Sequence, residues 1–252
     1  MKPIEVLKAS VRLGASLVAA LGLAFPAIAA DRALLNIIGY SEDGDYFAFE
    51  EYGIQDGSGF AYSSVFVVDL ANDTWVANAP FSARAEDEER TLGEIRLEAL
   101  GKAQSTFDEY RIGVPPQILT MIGDGAATET GTRVHWSTPA CCGPGFTQPD
   151  AQSLVLSTRG ITSTEEYCKD LSPVGYVLTF QDQNGSRELH ADGDVLPASR
   201  GCTLDYRIHA VVQPFENYWT DGFAGRRVAI IASYPFGFEG VDRRFLAVPI
   251  DR

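Results

Sequence analysis

Four cysteines and three histidines are the side chains of this 252-residue chain whose types best suit covalent, redox or metal chemistry. Cys141, Cys142, Cys168 and Cys202 allow three ways of forming two disulfides. Joining the neighbours Cys141 and Cys142 needs a strained geometry, because consecutive Cα atoms lie about 3.8 Å apart, short of the usual disulfide span. The expectation is therefore that Cys141 and Cys142 each bridge to Cys168 or Cys202, in an order left open. A thiolate metal site is the competing use, with His135 six residues before Cys141, but no C-x-x-C spacing is present and no metal is expected.

General-base work by His135, His190 or His209 needs a hydrogen-bonded partner that spacing alone does not place, so each is read as a structural or surface histidine. Gly39-Tyr40-Ser41-Glu42-Asp43 begins like the G-x-S-x-G elbow of a serine hydrolase, then has Asp in place of the second Gly; Ser41 is read as a turn residue. Asp43-Gly44-Asp45 and Asp192-Gly193-Asp194 resemble fragments of calcium loops without the further alternate ligands. Gly123-Asp124-Gly125 is too short for a dinucleotide fingerprint. No catalytic residue and no cofactor is expected on these grounds. A pair of carboxylates, as glycosidases use, stays open as an alternative, because separation in space decides that role.

One loop mixes recognition chemistry. Tyr234 to Arg244 brings together three aromatic rings, two acids and two arginines, and marks Phe236, Phe238, Glu239, Asp242 and Arg243 as a candidate recognition loop. A self-packed loop with internal ion pairs is the alternative.

The elements that must hold these residues read as short strands. Leu34–Ile38, Tyr46–Tyr52, Val65–Val68 and Trp75–Val76, separated by turn residues, form a meander that resembles one blade of a β-propeller. Phe47 and Phe49 fall on one face of the second strand, with Tyr46, Ala48 and Glu50 on the other. Hairpins are expected at Thr132–Trp136 with Ser153–Ser157, at Val174–Phe180 with Arg187–His190 across Asn184-Gly185, and at Val228–Tyr234 with Arg244–Val248. Gly59-Phe60, Gly145-Phe146 and Gly237-Phe238 recur in the hairpin loops. Leu204–Val212 adds a strand with Leu204, Tyr206, Ile208 and Ala210 alternating. Between Ala83 and Gln104, Leu92, Ile95, Ala99, Leu100 and Ala103 make an apolar helical stripe, behind an acidic run Glu86–Glu89 read as the helix's first turns. The expected fold class is mainly β, an antiparallel meander with hairpins in a propeller-like or sandwich arrangement, and one amphipathic helix near 83–104.

The N-terminus carries Lys2, Lys8 and Arg12, then the apolar stretch Leu13–Phe25, then Pro26-Ala27-Ile28-Ala29. Residues 1–29 are expected to be a cleaved secretory signal, leaving 30–252 as a single β-rich domain. Cleavage moves the net charge from -14 to near -16, since it removes three bases and one acid. Such a field repels phosphate backbones, so nucleic acid is not an expected partner; an envelope protein or small ligand is. The expected location is the periplasm or outside the cell, where disulfides persist, with no stable membrane insertion after cleavage.

Glu50-Glu51-Tyr52-Gly53-Ile54-Gln55-Asp56-Gly57-Ser58-Gly59-Phe60, Ser199-Arg200-Gly201-Cys202 and Gly237-Phe238-Glu239-Gly240-Val241-Asp242-Arg243-Arg244-Phe245 resemble a family of predicted secreted bacterial proteins, domain of unknown function 2259. The resemblance implies export, and it brings no activity, cofactor or catalytic residue with it. The function expected from the residues is a non-catalytic binding or envelope-associated module acting through Gly-aromatic loops. The alternative is a hydrolase of envelope carbohydrate or peptide that uses acidic residues.

Overall fold

Val228-Ala229-Ile230-Ile231-Ala232 is apolar at every position, the pattern of a strand covered on both faces rather than one. The structure is a computed structural model that describes residues 30–122, 131–137, 151–215 and 226–251. It places this run in the middle layer of three stacked antiparallel sheets, which is the sandwich form of the expected mainly-β fold.

The N-terminal sheet is built from β1 (Leu34–Ser41), β2 (Tyr46–Ile54), β3 (Ala61–Asp69), β4 (Thr74–Trp75), β5 (Phe81–Arg84) and, beyond the helix α1 (Leu92–Tyr110), β6 (Ile112–Val114). Its order is β4-β3-β2-β1-β6, with β5 alongside β3. The next strand in the chain, β7 (Pro116–Met121), leaves for the central sheet. The outer sheet follows from β8 (Arg133–Ser137), β9 (Ala151–Gly160), β11 (Val174–Asp182) and β12 (Gly185–Ala191), in the order β12-β11-β9-β8. Two short strands, β10 (Thr162–Ser163) and β13 (Val195–Leu196), pair in parallel beside it. The central sheet is completed by β14 (Thr203–Pro214), β15 (Val228–Pro235) and β16 (Arg244–Pro249), in the order β16-β15-β14-β7.

Alternation along β15 divides its side chains between two cores. Val228, Ile230 and Ala232 pack on Phe47, Phe49, Phe66 and Val68 of the N-terminal sheet. Ala229 and Ile231 pack on Leu154, Leu156, Tyr176 and Leu178 of the outer sheet. In β14 the alternation expected from Leu204 to Ala210 breaks: a register shift between Ile208 and Ala210 sends Tyr206 and Ile208 to the outer sheet and Ala210 to the N-terminal one. One inserted residue reverses every side chain beyond it.

The helix covers the remaining face of the N-terminal sheet, with Ile95, Ala99 and Ala103 buried against Ala61, Val65 and Ala83. Its start corrects the expectation of a helix from Ala83. Ala83 belongs to β5, and the acidic run 86–89 lies before the helix. The boundary is set by Thr91, whose hydroxyl accepts from the Glu94 amide while the Glu94 carboxylate accepts from the Thr91 amide, a reciprocal capping box. The apolar stripe lies on the buried face as its spacing predicts, with Leu92 and Leu100 flanking Ile95, Ala99 and Ala103. Gly39 bends β1 at a register shift, with φ +144°; a Cβ there would lie 2.4 Å from the Val114 carbonyl oxygen, so the missing side chain lets β6 close on β1. Among the described residues no helix is long and apolar enough to cross a membrane.

Candidate functional site

Where the edge of the N-terminal sheet meets β16, two adjoining pockets of about 230 and 280 Å³ open. They share a wall of Trp75, Ser199, Arg200, Phe245 and Leu246. The Asp69 carboxylate, accepting from the amides of Ala71 and Asn72, forms the turn after β3, and Asp73 continues it at φ 53°. That turn brings Trp75 back over Phe66, ring centroids 5.2 Å apart, and leaves the indole 48% exposed at the lip.

Beneath it, the larger pocket reaches Glu51, Asp242 and Arg244. Glu51 leaves β2 on the same face as Phe49 and accepts the Phe245 amide at 3.1 Å. Burial pushes its carboxyl up to about 7, with the Asp31 charge adding to the rise, and the Arg244 charge and the single amide bond only partly offset this. Arg244 pairs with Asp31 at 2.7 Å and lies 3.8 Å from Asp242. Burial also raises the Asp242 carboxyl, despite the Arg244 charge and the Asp31 amide that donates to it. The Tyr62 hydroxyl donates to Asp31 at 2.7 Å, and burial raises that phenol well above its ordinary range.

The smaller pocket is lined by Tyr176, His190, Ser199 and Arg200, with Asp73 across from them. Asp192 holds this wall together from behind. It takes both oxygens' bonds from Arg200 Nη1 at 2.9 Å, one from the Tyr176 amide at 2.9 Å, and a contact with His190 Nε2 at 2.9 Å. Burial alone would raise its carboxyl, but the His190 and Tyr176 hydrogen bonds and the Arg200 charge hold it below the usual carboxylate range. Gly175 makes the arrangement sterically allowed, because a Cβ at that position would lie 2.9 Å from Asp192 Cβ.

A disulfide fastens the same wall. Cys168 bonds Cys202, Cα atoms 5.6 Å apart, tying the turn that carries Ser199 and Arg200 to the segment after β10. This overturns the expectation that Cys141 and Cys142 each bridge to one of these two. The fold brings Cys168 and Cys202 together directly, which leaves neither sulfur to bridge to Cys141 or Cys142. Cys141 and Cys142 lie outside the described residues, as does Gly145-Phe146.

The candidate recognition loop divides. Phe238 is 85% exposed and its ring approaches the Gly57 loop; Phe236 and Glu239 are exposed beside it. Asp242 lines the larger pocket, and Gly237 has to lack a side chain, since a Cβ would lie 2.2 Å from Asp242 Oδ1. Arg243 turns inward and donates from Nε and Nη2 to the Ala33 carbonyl. Of the histidines, His190 enters the pocket wall, His135 is exposed, and His209 packs edge-on to Phe245 beside a separate apolar groove of about 460 Å³ between β1 and β7. Ser41 is the last residue of β1 and opens the turn that follows: its carbonyl accepts from the Gly44 amide, and its hydroxyl donates to Asp43 and accepts from the Tyr46 amide. Among the described residues no group of three or more His, Cys, Asp or Glu is arranged to hold a metal ion.

Sequence reasoning missed Trp75, Glu51, Asp192 and Arg200 as members of one site. The signal for Glu51 was present, since it alternates with Phe47 and Phe49; Asp192 looked like an acid of an Asp-Gly turn.

The family described as Predicted secreted protein (DUF2259) matches residues 48–251. No curated protein and no solved structure matches the chain.

Proposed function

This chain belongs to that family of predicted secreted proteins, and from that premise we propose that it is an exported, non-catalytic binding module that takes an envelope saccharide between Trp75 and the C-terminal hairpin. The observation that carries the reading is the half-exposed Trp75 indole above two small pockets lined by carboxylate, guanidinium and imidazole groups. The C–H face of a sugar ring stacks on an aromatic face, and its hydroxyls hydrogen-bond to planar polar groups. Pockets near the lower end of the small-molecule range, about 300 Å³, suit one or two rings. Asp192 and Arg200 are mutually bonded, as befits a preorganised wall rather than a reacting centre. The test is co-sedimentation of the chain, beginning at Ala30, with purified cell-wall sacculi, followed by titration of its fluorescence with soluble glycan fragments. Trp75→Ala is expected to weaken retention about tenfold or more, or 1.4 kcal/mol. Absence of retention, or equal retention by the variant, overturns the reading.

One observation favours a second reading, hydrolysis of the same polymer. Glu51, near 7, lines the pocket that also holds Asp242, and a carboxyl of that proton affinity suits general acid-base work. It requires new reducing ends to appear from the glycan and to be lost in Glu51→Gln.

A further inference from the structure

The residues that follow the expected signal are held by an unusual density of bonds. Asp31 is buried; its amide donates to Asp242 Oδ1 at 3.0 Å, and its carbonyl accepts from the Arg243 amide at 2.9 Å and from Arg244 Nη1 at 3.1 Å. Its carboxylate accepts from the Tyr62 hydroxyl and from Arg244 Nη2. Arg32 makes a parallel bridge to Arg243, and the Ala33 amide donates to the Arg243 carbonyl. The Asp242-Arg243-Arg244 stretch therefore grips Asp31, Arg32 and Ala33, the residues just beyond the expected cut before Ala30.

We propose that Asp242 is the docking site for the chain's own α-ammonium group, which is created at Ala30 when the signal is removed. The inference rests on the export reading, because in the uncleaved chain the Ala30 nitrogen is a neutral amide bonded to residue 29. Covalent geometry puts that nitrogen roughly 3 to 3.5 Å from the Asp31 nitrogen, whose hydrogen already points at Asp242 Oδ1. The new cation thus forms within about 6.5 Å of an Asp242 oxygen already fixed by the Asp31 amide, and rotation about the Ala30 Cα–C bond brings it closer. Asp31, Glu51 and Asp242 crowd around Arg244, while Arg243 directs two donors at the Ala33 carbonyl. Asp56 lies close enough for its charge to oppose ionisation of Asp242, and its Oδ2 is enclosed with no hydrogen-bond donor among the described residues. Tyr62 completes the setting as a neutral phenol. The loop from Gly237 to Phe245 is then an N-terminal receptor, and signal removal adds an ion pair to the finished fold.

The experiment compares the oxidised chain beginning at Ala30 with the same chain beginning at Ala29, which moves the ammonium away and turns the Ala30 nitrogen into an amide. The Ala30 form is expected to melt about 2 to 4 °C higher at pH 7. The gap should close as pH rises beyond about 8, where an ordinary α-ammonium loses its proton, with the docked one holding on somewhat longer. Asp242→Asn is expected to abolish the gap. Equal midpoints at pH 7, or a gap that survives in Asp242→Asn, overturns the proposal. An NMR titration of the α-amine needs no variant: a midpoint above that of the Ala29 form supports docking, and an equal midpoint overturns it. N-terminal sequencing of the exported protein reads the premise separately, since a start elsewhere than Ala30 defeats the export reading's cleavage site whatever the melting curves show.

Discussion

Glu50 and Glu51 are consecutive in β2 and leave opposite faces of the N-terminal sheet, one meeting Arg96 of the helix and the other the Phe245 amide of the C-terminal hairpin. Both are buried, because this sheet is covered on both sides. Their environments differ in donors. Glu50 receives two bonds from Arg96 and one each from Asn36 and Ser63, and these outweigh its burial and lower its carboxyl. Glu51 has one amide and a neighbouring Arg244, and burial wins.

The pair should give opposite pH signatures. Glu51 is raised above its unfolded range, so its folded form is favoured while it stays protonated, and stability falls as pH rises from about 4.5 to about 7. The loss amounts to about 3 kcal/mol if no other group compensates. Glu50 is lowered, so its contribution is present above the unfolded range and disappears as the medium is acidified. Urea midpoints measured against pH should flatten on the neutral side in Glu51→Gln and on the acid side in Glu50→Gln. An unchanged profile in Glu51→Gln rejects the assignment.

Removing Arg200 leaves Asp192 buried without its cation. Arg200→Leu is expected to destabilise the fold by about 3 kcal/mol, the usual scale for half of a buried ion pair. Arg200→Lys should recover only part of this, because one guanidinium nitrogen currently meets both Asp192 oxygens and approaches Tyr206. A loss under about 0.5 kcal/mol, the level of an ordinary surface change, would show that the pair is solvated in solution.

Closing a loop with a sequence separation of 34, the Cys168–Cys202 bond restricts the unfolded chain. The double variant Cys168→Ser, Cys202→Ser should lose about 4 kcal/mol in denaturant unfolding. Peptide mapping without reductant is the direct check, and a Cys168-to-Cys202 crosslinked peptide is the expected product.

Gly39→Ala tests the bend in β1. Its φ of +144° disfavours any side chain, and the new Cβ would meet the Val114 carbonyl oxygen at 2.4 Å. A cost of about 2 kcal/mol is expected from backbone strain alone. The control, Gly113→Ala, meets nothing within 4 Å and should be close to neutral.

The sequence was informative wherever order along the chain decides structure. The Asn184-Gly185 turn announced the β11–β12 hairpin, and the spacing of Ile95, Ala99 and Ala103 announced the buried helix face. The Thr91 to Glu94 box was equally local and could have fixed the helix start. What stayed hidden depends on which faces meet. Apolar alternation shows that Phe47 and Ile230 need cover, but not that they cover one another, since any apolar surface satisfies the same demand. The candidate site suffers most from this ambiguity. Trp75, Glu51, Arg200 and Asp242 come from four separate stretches, and only the stacking order of the sheets joins them.

The central sheet has a consequence for how the chain matures. Its β7 is made early, but β15 and β16 follow every described strand of both flanking layers in chain order, and both layers need them as a shared inner surface. A chain threading through a pore with its N-terminus leading thus cannot finish either half in transit. Assembly has to await the arrival of β15 and β16, which makes this architecture suited to passage in an extended state followed by a single late collapse.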